Sequence, residues 1–99
     1  TVLRRFGPAN ESALSFPLAG WTLTVDVPVV DPDLPRLLDR FDEQVAEVGG
    51  RIYLAKDARM RPELLAAMYP RLAEWQEVRA SVDPHGLIRS DLSERLGLS

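Results

Sequence analysis

The sequence predicts a small α+β domain: a small antiparallel or mixed sheet carrying helices on one face. Three observations predict it. "WTLTVDVPVV" (21–30) alternates apolar and polar residues with the period of a half-buried strand. "DPDLPRLLDRFDEQVAEVGG" (31–50) repeats its apolar residues at helical spacing. Beyond residue 60 the chain is a series of short helical patterns divided by proline and glycine. A length of 99 residues holds one domain, and 45% hydrophobic with 27% charged residues is an ordinary globular balance.

"TVLRRF" (1–6) reads as a short strand ended by Gly7-Pro8. In a strand, Arg4 and Arg5 point to opposite faces, so one of them can meet a phosphate or both can be surface charges. "GPANESALSFPLAG" (7–20) reads as a loop punctuated by Pro8, Asn10, Pro17 and Gly20. A loop of that length often lines a site or packs on a partner domain. In 21–30, Trp21, Leu23, Val25, Val27 and Val29 share one face, and Trp21 reads as a core aromatic. Thr22, Thr24, Asp26 and Pro28 share the other, which either faces water or lines a ligand cavity. Pro28 lacks a ladder donor and marks an edge or a strand end.

The long helix is capped by Asp31 or Asp33, with proline just inside. Leu34, Leu37, Leu38, Phe41, Val45 and Val48 form its apolar stripe, and Gly49-Gly50 stop it. Asp39, Asp42, Glu43 and Glu47 read as its solvated face. "RIYLAK" (51–56) then reads as a returning strand. The resulting strand, helix and strand suit a parallel βαβ or half of a ferredoxin-like split βαβ. In that phase Lys56 shares a side with Ile52 and Leu54. It is either a solvated lysine after the strand or a cation drawn toward a partly desolvated place where it can hold an anion.

"RPELLAAMY" (61–69) and "PRLAEWQEVRASV" (70–82) read as helices. In the second, Leu72, Trp75, Val78 and Val82 fall on one side, and Asp83-Pro84 end it. His85 reads as a surface histidine in the following turn. "SDLSERLGL" (90–98) reads as a terminal helix capped by Ser90, with Leu92 and Leu96 inward.

A net charge of −3 argues against a general nucleic-acid binder. The absence of cysteine excludes disulfides, thiolate catalysis and cysteine-bound zinc, and one histidine makes no metal centre. No apolar run approaches the roughly 20 residues of a spanning helix, and no signal peptide is visible. The expected location is cytoplasmic or peripheral at the cell membrane. Neither a phosphate loop nor a nucleophile elbow is present, so no motif specifies a reaction. The residues alone support a small α+β domain, which as a free-standing ferredoxin-like unit would be a ligand-binding or assembly module.

Three stretches taken together carry a resemblance: "LRRFGPANESALSFPLAGWTLTVDVPV", "GGRIYLAKDARM" and "MYPRLAEWQEVRASVDPHGLIRSDLSERLGL". In the same order and over essentially the whole chain, they resemble the C-terminal end of FAD-linked oxidoreductases of the vanillyl-alcohol-oxidase type. The ending of aldonolactone oxidases is similar. The resemblance implies that residues 1–99 are a fragment of the substrate (cap) domain with a C-terminal tail, the FAD-binding domain being absent. An opening without methionine fits a fragment. The implied chemistry oxidises a sugar hydroxyl, C2 of a polyprenylphosphoryl ribose, to a ketone by hydride transfer to FAD, in the supply of cell-wall arabinan. Aldonolactone oxidation is the alternative.

The implied partners are the FAD-binding domain of the same protein, a lipid-linked sugar and an NAD-dependent reductase. By resemblance, Lys56 is the catalytic lysine against flavin and substrate, and Tyr53 contacts the flavin. Arg4, Thr22 and Thr24 line the substrate pocket. A member of the family has lysine at the position of Arg4, asparagine at Thr22 and cysteine at Thr24, so thiol-directed inhibitors find no target at Thr24. The fragment alone is expected to be colourless and inactive. An exposed apolar patch including Phe16, Trp21 and Leu87 is expected to make it self-associate.

Overall fold

The computed structural model describes all residues 1–99. Two strands, β1 (Val2–Phe6) and β2 (Gly20–Thr24), form an antiparallel ribbon. Four helices follow: α1 (Leu34–Glu47), α2 (Leu65–Met68), α3 (Leu72–Val82) and α4 (Asp91–Arg95). Two 3₁₀ turns, Leu54–Lys56 and Pro62–Leu64, lie between α1 and α2. The α+β class and the small antiparallel sheet are those the sequence predicts.

The ribbon pairs Val2 with Thr24, Leu3 with Leu23, Arg4 with Thr22, Arg5 with Trp21 and Phe6 with Gly20. β2 is therefore shorter than the alternating stretch 21–30. Its partner runs out at Val2, and Pro28 could not donate to a ladder in any case. Trp21 is 69% exposed and is not a core residue. The alternation does place it with Leu3 and Leu23 on one face, but nothing in the chain covers that face.

Residues 51–56 do not form the expected strand. Tyr53 is extended, and the backbone then tightens, with Lys56 N–H donating to Tyr53 O and Asp57 N–H to Leu54 O, both at 3.2 Å. No strand lies alongside to accept a ladder. The Ile52 carbonyl is satisfied instead by the Tyr69 hydroxyl, at 2.5 Å. The strand–helix–strand unit accordingly does not form within this chain, and Lys56 sits in a turn rather than at a strand end.

α1 begins where expected. Asp31 Oδ1 accepts from Asp33 N–H at 2.8 Å, and the Asp31 carbonyl accepts from Leu34 N–H. Asp33 occupies the cap position without a side-chain capping bond. At the other end Gly50 N–H donates to Val45 O and Gly49 N–H to Ala46 O. With Gly49 left-handed at φ +74°, this is a Schellman stop. Leu34 is buried, and Val45 and Ala46 pack on the core, whereas Leu37, Phe41 and Val48 stay exposed.

The acidic face of α1 is not solvated throughout. Asp42 is buried, and Arg59 binds both Asp42 (2.6 Å) and Asp39 (2.9 Å). Arg61 pairs with Glu43. The core lies in the C-terminal half: Met60, Leu65, Met68, Tyr69, Leu96 and Leu98 are buried together. Leu72 and Trp75 of α3 and Leu92 of α4 pack against it. Val78 and Val82, expected on the inner side of α3, are exposed, because the chain offers that end of the helix no covering element. α4 carries the expected cap, with Ser90 Oγ accepting from Ser93 N–H and Ser93 Oγ accepting from Ser90 N–H.

Candidate functional site

Residues directly opposite in an antiparallel pair share a face. The register therefore puts Arg4, Thr22 and Thr24 together on one side of the ribbon, joined by Phe6. Arg4 and Thr24 are exposed and Thr22 is half-buried. The three substrate-pocket residues expected from the sequence thus form one polar surface, with a guanidinium directly across the ladder from a hydroxyl.

An aromatic row leads away from that face. Phe6 meets Phe16 edge-on, with ring centroids 5.8 Å apart at 87°. Phe16 in turn meets Tyr53 at 5.0 Å and 45°. These are ordinary spacings for attractive ring contacts. The loop holding Phe16 is pinned through Ser15, whose Oγ accepts from Asn10 N–H and donates to Pro17 O. Arg51 Nη1 also donates to the Ser15 carbonyl. The ribbon and the turn bearing Tyr53 and Lys56 are therefore mechanically connected, although more than thirty residues separate Phe16 from Tyr53.

Tyr53 is 47% exposed, and Lys56 is exposed one 3₁₀ turn later. None of the chain's ion pairs takes Lys56; its carboxylate neighbour Asp57 is bound to Arg95 Nη2 at 2.8 Å. Lys56 makes no hydrogen bond to Arg4, Thr22 or Thr24; the Phe16 loop connects its turn to them, through the aromatic row and through Arg51.

Two hollows flank this row, and Phe16 lines both. One, of about 460 Å³, lies between the Tyr53–Ala55 segment, Trp75 of α3 and Leu92 of α4. The other, of about 390 Å³, lies between the ribbon and the end of α1, with Phe6, Thr22 and Val48 in its wall.

Phe6 and the Asp57–Arg95 pair escaped the sequence reading. Phe6 was accessible, since it falls in strand phase with Arg4. The Asp57–Arg95 contact joins positions 38 apart, and no local pattern marks it. Burial alone would raise the Asp57 carboxyl. Backbone N–H groups of Met60 and Arg59 and the Arg95 guanidinium outweigh burial and hold it below its ordinary value. The Tyr69 hydroxyl is pushed up to about 12, chiefly by burial, and so stays a neutral donor to Ile52.

The pattern of a family described as D-arabinono-1,4-lactone oxidase matches residues 5–96. The chain is 52% identical over 97 residues to an uncharacterized protein in the mprA 5′ region of Streptomyces coelicolor, covering 98% of this chain and 26% of that protein. It is 46% identical over 97 residues to the decaprenylphosphoryl-beta-D-ribose oxidase of Mycolicibacterium smegmatis, covering 98% of this chain and 21% of that one. The chain therefore spans about a quarter or less of the length of these curated relatives. With the pattern running from residue 5 to residue 96, and β2, the aromatic row and the lysine turn all inside it, the chain belongs to the D-arabinono-1,4-lactone oxidase family of oxidoreductases.

Proposed function

We propose that residues 1–99 are the flavin-facing C-terminal part of an FAD-dependent oxidoreductase that oxidises a sugar hydroxyl to a ketone, with C2 of a polyprenylphosphoryl ribose as the reacting position. One observation carries this reading. A hydroxyl-and-guanidinium face (Arg4, Thr22, Thr24) is joined by edge-on and tilted ring contacts to an exposed tyrosine, whose turn also carries a lysine with no counter-ion. The 46% identity to an enzyme named for oxidising decaprenylphosphoryl ribose supports the substrate class.

The residues fit an FAD ring. Tyr53 presents an exposed aromatic surface, and Lys56, three residues on in the same turn, is exposed and in no ion pair. When bound, FAD supplies the hydride acceptor. The ammonium of Lys56 offsets the negative charge that accumulates during the reaction, an effect largest in a water-poor site. Tyr53 limits the ring's freedom and excludes water beside it. Arg4 offers a planar fork for a phosphate, and Thr22 and Thr24 each offer a hydroxyl that both donates and accepts toward sugar hydroxyls.

The FAD-binding domain of the same protein supplies the remaining cofactor contacts, and an NAD-dependent reductase consumes the keto product. Residues 1–99 alone are colourless and without turnover.

The test is Lys56→Ala in the full-length protein. Turnover is expected to fall about a hundredfold or more, the scale of losing one preorganised charge-stabilising group, with flavin content retained. Unchanged turnover would remove Lys56 from the chemistry. The family description favours a second reading, oxidation of an aldonolactone at the same site. Parallel assays with a polyprenylphosphoryl ribose and an aldonolactone separate the two. A reading frame with no FAD-binding domain upstream of Thr1 would instead favour a free-standing binding module.

A further inference from the structure

We infer that Arg95, in the C-terminal helix α4, is a positioning residue for Lys56; the inference rests on the catalytic reading of Lys56 above. A lysine side chain is long and flexible. It stabilises charge at a defined point only if its backbone origin is fixed. The turn carrying Lys56 is held at both ends. Before it, the Ile52 carbonyl is bound by the buried Tyr69 hydroxyl. After it, Arg95 spreads its guanidinium over three acceptors. Nη1 donates to the Met60 carbonyl at 2.7 Å. Nη2 donates to Asp57 Oδ2 at 2.8 Å and to the Asp57 carbonyl at 3.3 Å.

Asp57 completes the brace. Its side chain is 4% exposed, and Oδ1 accepts from the N–H groups of Arg59 and Met60. Its own N–H donates to Leu54 O, the bond that closes the turn containing Lys56. Arg95 thus acts on the residue next to Lys56 through one backbone carbonyl and the carboxylate, and on the following loop through the Met60 carbonyl, and its own side chain is still 29% exposed. Two of its three acceptors are carbonyls of the loop, so the fork holds the course of the backbone as well as the charge of Asp57. A lysine at this position would keep the charge and lose the fork.

The experiment is a double-mutant cycle in the full-length flavoprotein with Arg95→Ala and Lys56→Ala. Arg95→Ala is expected to lower kcat about ten- to a hundredfold, the cost of a misplaced catalytic group, with flavin content and the KM for the sugar little changed. In the Lys56→Ala background the same substitution should cost nothing further, because its effect passes through Lys56. Hydrogen exchange should quicken at residues 55–60 and stay unchanged in α2. Losses that multiply fully, or an unchanged kcat in Arg95→Ala beside an impaired Lys56→Ala, would overturn the positioning role and leave the proposed function standing. Unchanged turnover in Lys56→Ala would overturn both. If Arg95→Ala does not fold, Arg95→Lys takes its place in the cycle, with the same expected non-additivity and the same overturning result.

Discussion

Lys56 and Asp57 are adjacent in sequence and opposite in environment. The lysine is exposed and without a counter-ion. The aspartate's side chain is shielded by two backbone donors and a guanidinium. That contrast has a pH consequence. The folded-state value of Asp57 lies below its ordinary value of 3.8, and so does that of Asp83, which accepts from the N–H groups of Ile88 and Leu87. A depressed carboxyl stabilises the fold above its unfolded value, and the contribution is lost as pH falls through the folded one. Stability is therefore expected to decline below about pH 4 as these groups take up protons. Thermal unfolding followed from pH 5 to pH 2 reads this, and Asp57→Asn should flatten the decline while lowering stability at pH 7. An equally steep acid transition in that variant would mean that Asp57 is not a main contributor. Asp42 runs the other way, since burial outweighs Arg59 and raises its carboxyl. At this scale the shared face of Thr22 and Thr24 was legible from strand phase, whereas the choice of Arg4 over Arg5 to join it is made by the register of the two strands. The partner of Asp57 was not legible, because Arg95 lies in a different helix.

Among the elements, α1 shows how closely a helix end can be specified. Gly49 turns left-handed, and Gly50 then passes so near the last turn that an added Cβ would lie 2.9 Å from Val45 Cγ1 and 3.0 Å from the Val45 carbonyl oxygen. The carbonyl is backbone and cannot yield by a rotamer change. Gly50→Ala is thus expected to destabilise the fold by about 1–3 kcal/mol, the usual cost of overpacking. A chemical denaturation midpoint equal to wild type would contradict it. The consequence reaches the site, since Gly50 leads into Arg51, which holds the Phe16 loop through Ser15. The stops at Gly49-Gly50 and the cap at Ser90 were legible, being sequence-local chemistry. The strand expected at 51–56 was not formed, because β-structure needs a partner edge and the chain supplies none there.

At the scale of the whole molecule, the chain is a thin body, 41 × 33 × 20 Å, with a core confined to α2, α4 and the segments beside them. Leu3, Trp21 and Leu23 lie open on one face of the ribbon, and Leu87 and Ile88 lie open before α4. Phe16 is less exposed than the sequence suggested, because Phe6 and Tyr53 enclose it. Apolar surface of this extent favours association, so residues 1–99 in isolation are expected to form oligomers. A strictly monomeric species by light scattering would count against that. No helix is long and apolar enough to cross a membrane. The α+β class, the period-two face bearing Thr22 and Thr24, the stop of α1 and the cap of α4 follow from the residues alone, because each depends on residues a few positions apart. Only the tertiary structure decided that 51–56 turn instead of pairing, that Asp42 is buried against Arg59, and that Arg95 braces the turn carrying Lys56. Those outcomes rest on contacts between segments 17 to 38 positions apart, set by which surfaces the fold brings together and which it leaves uncovered.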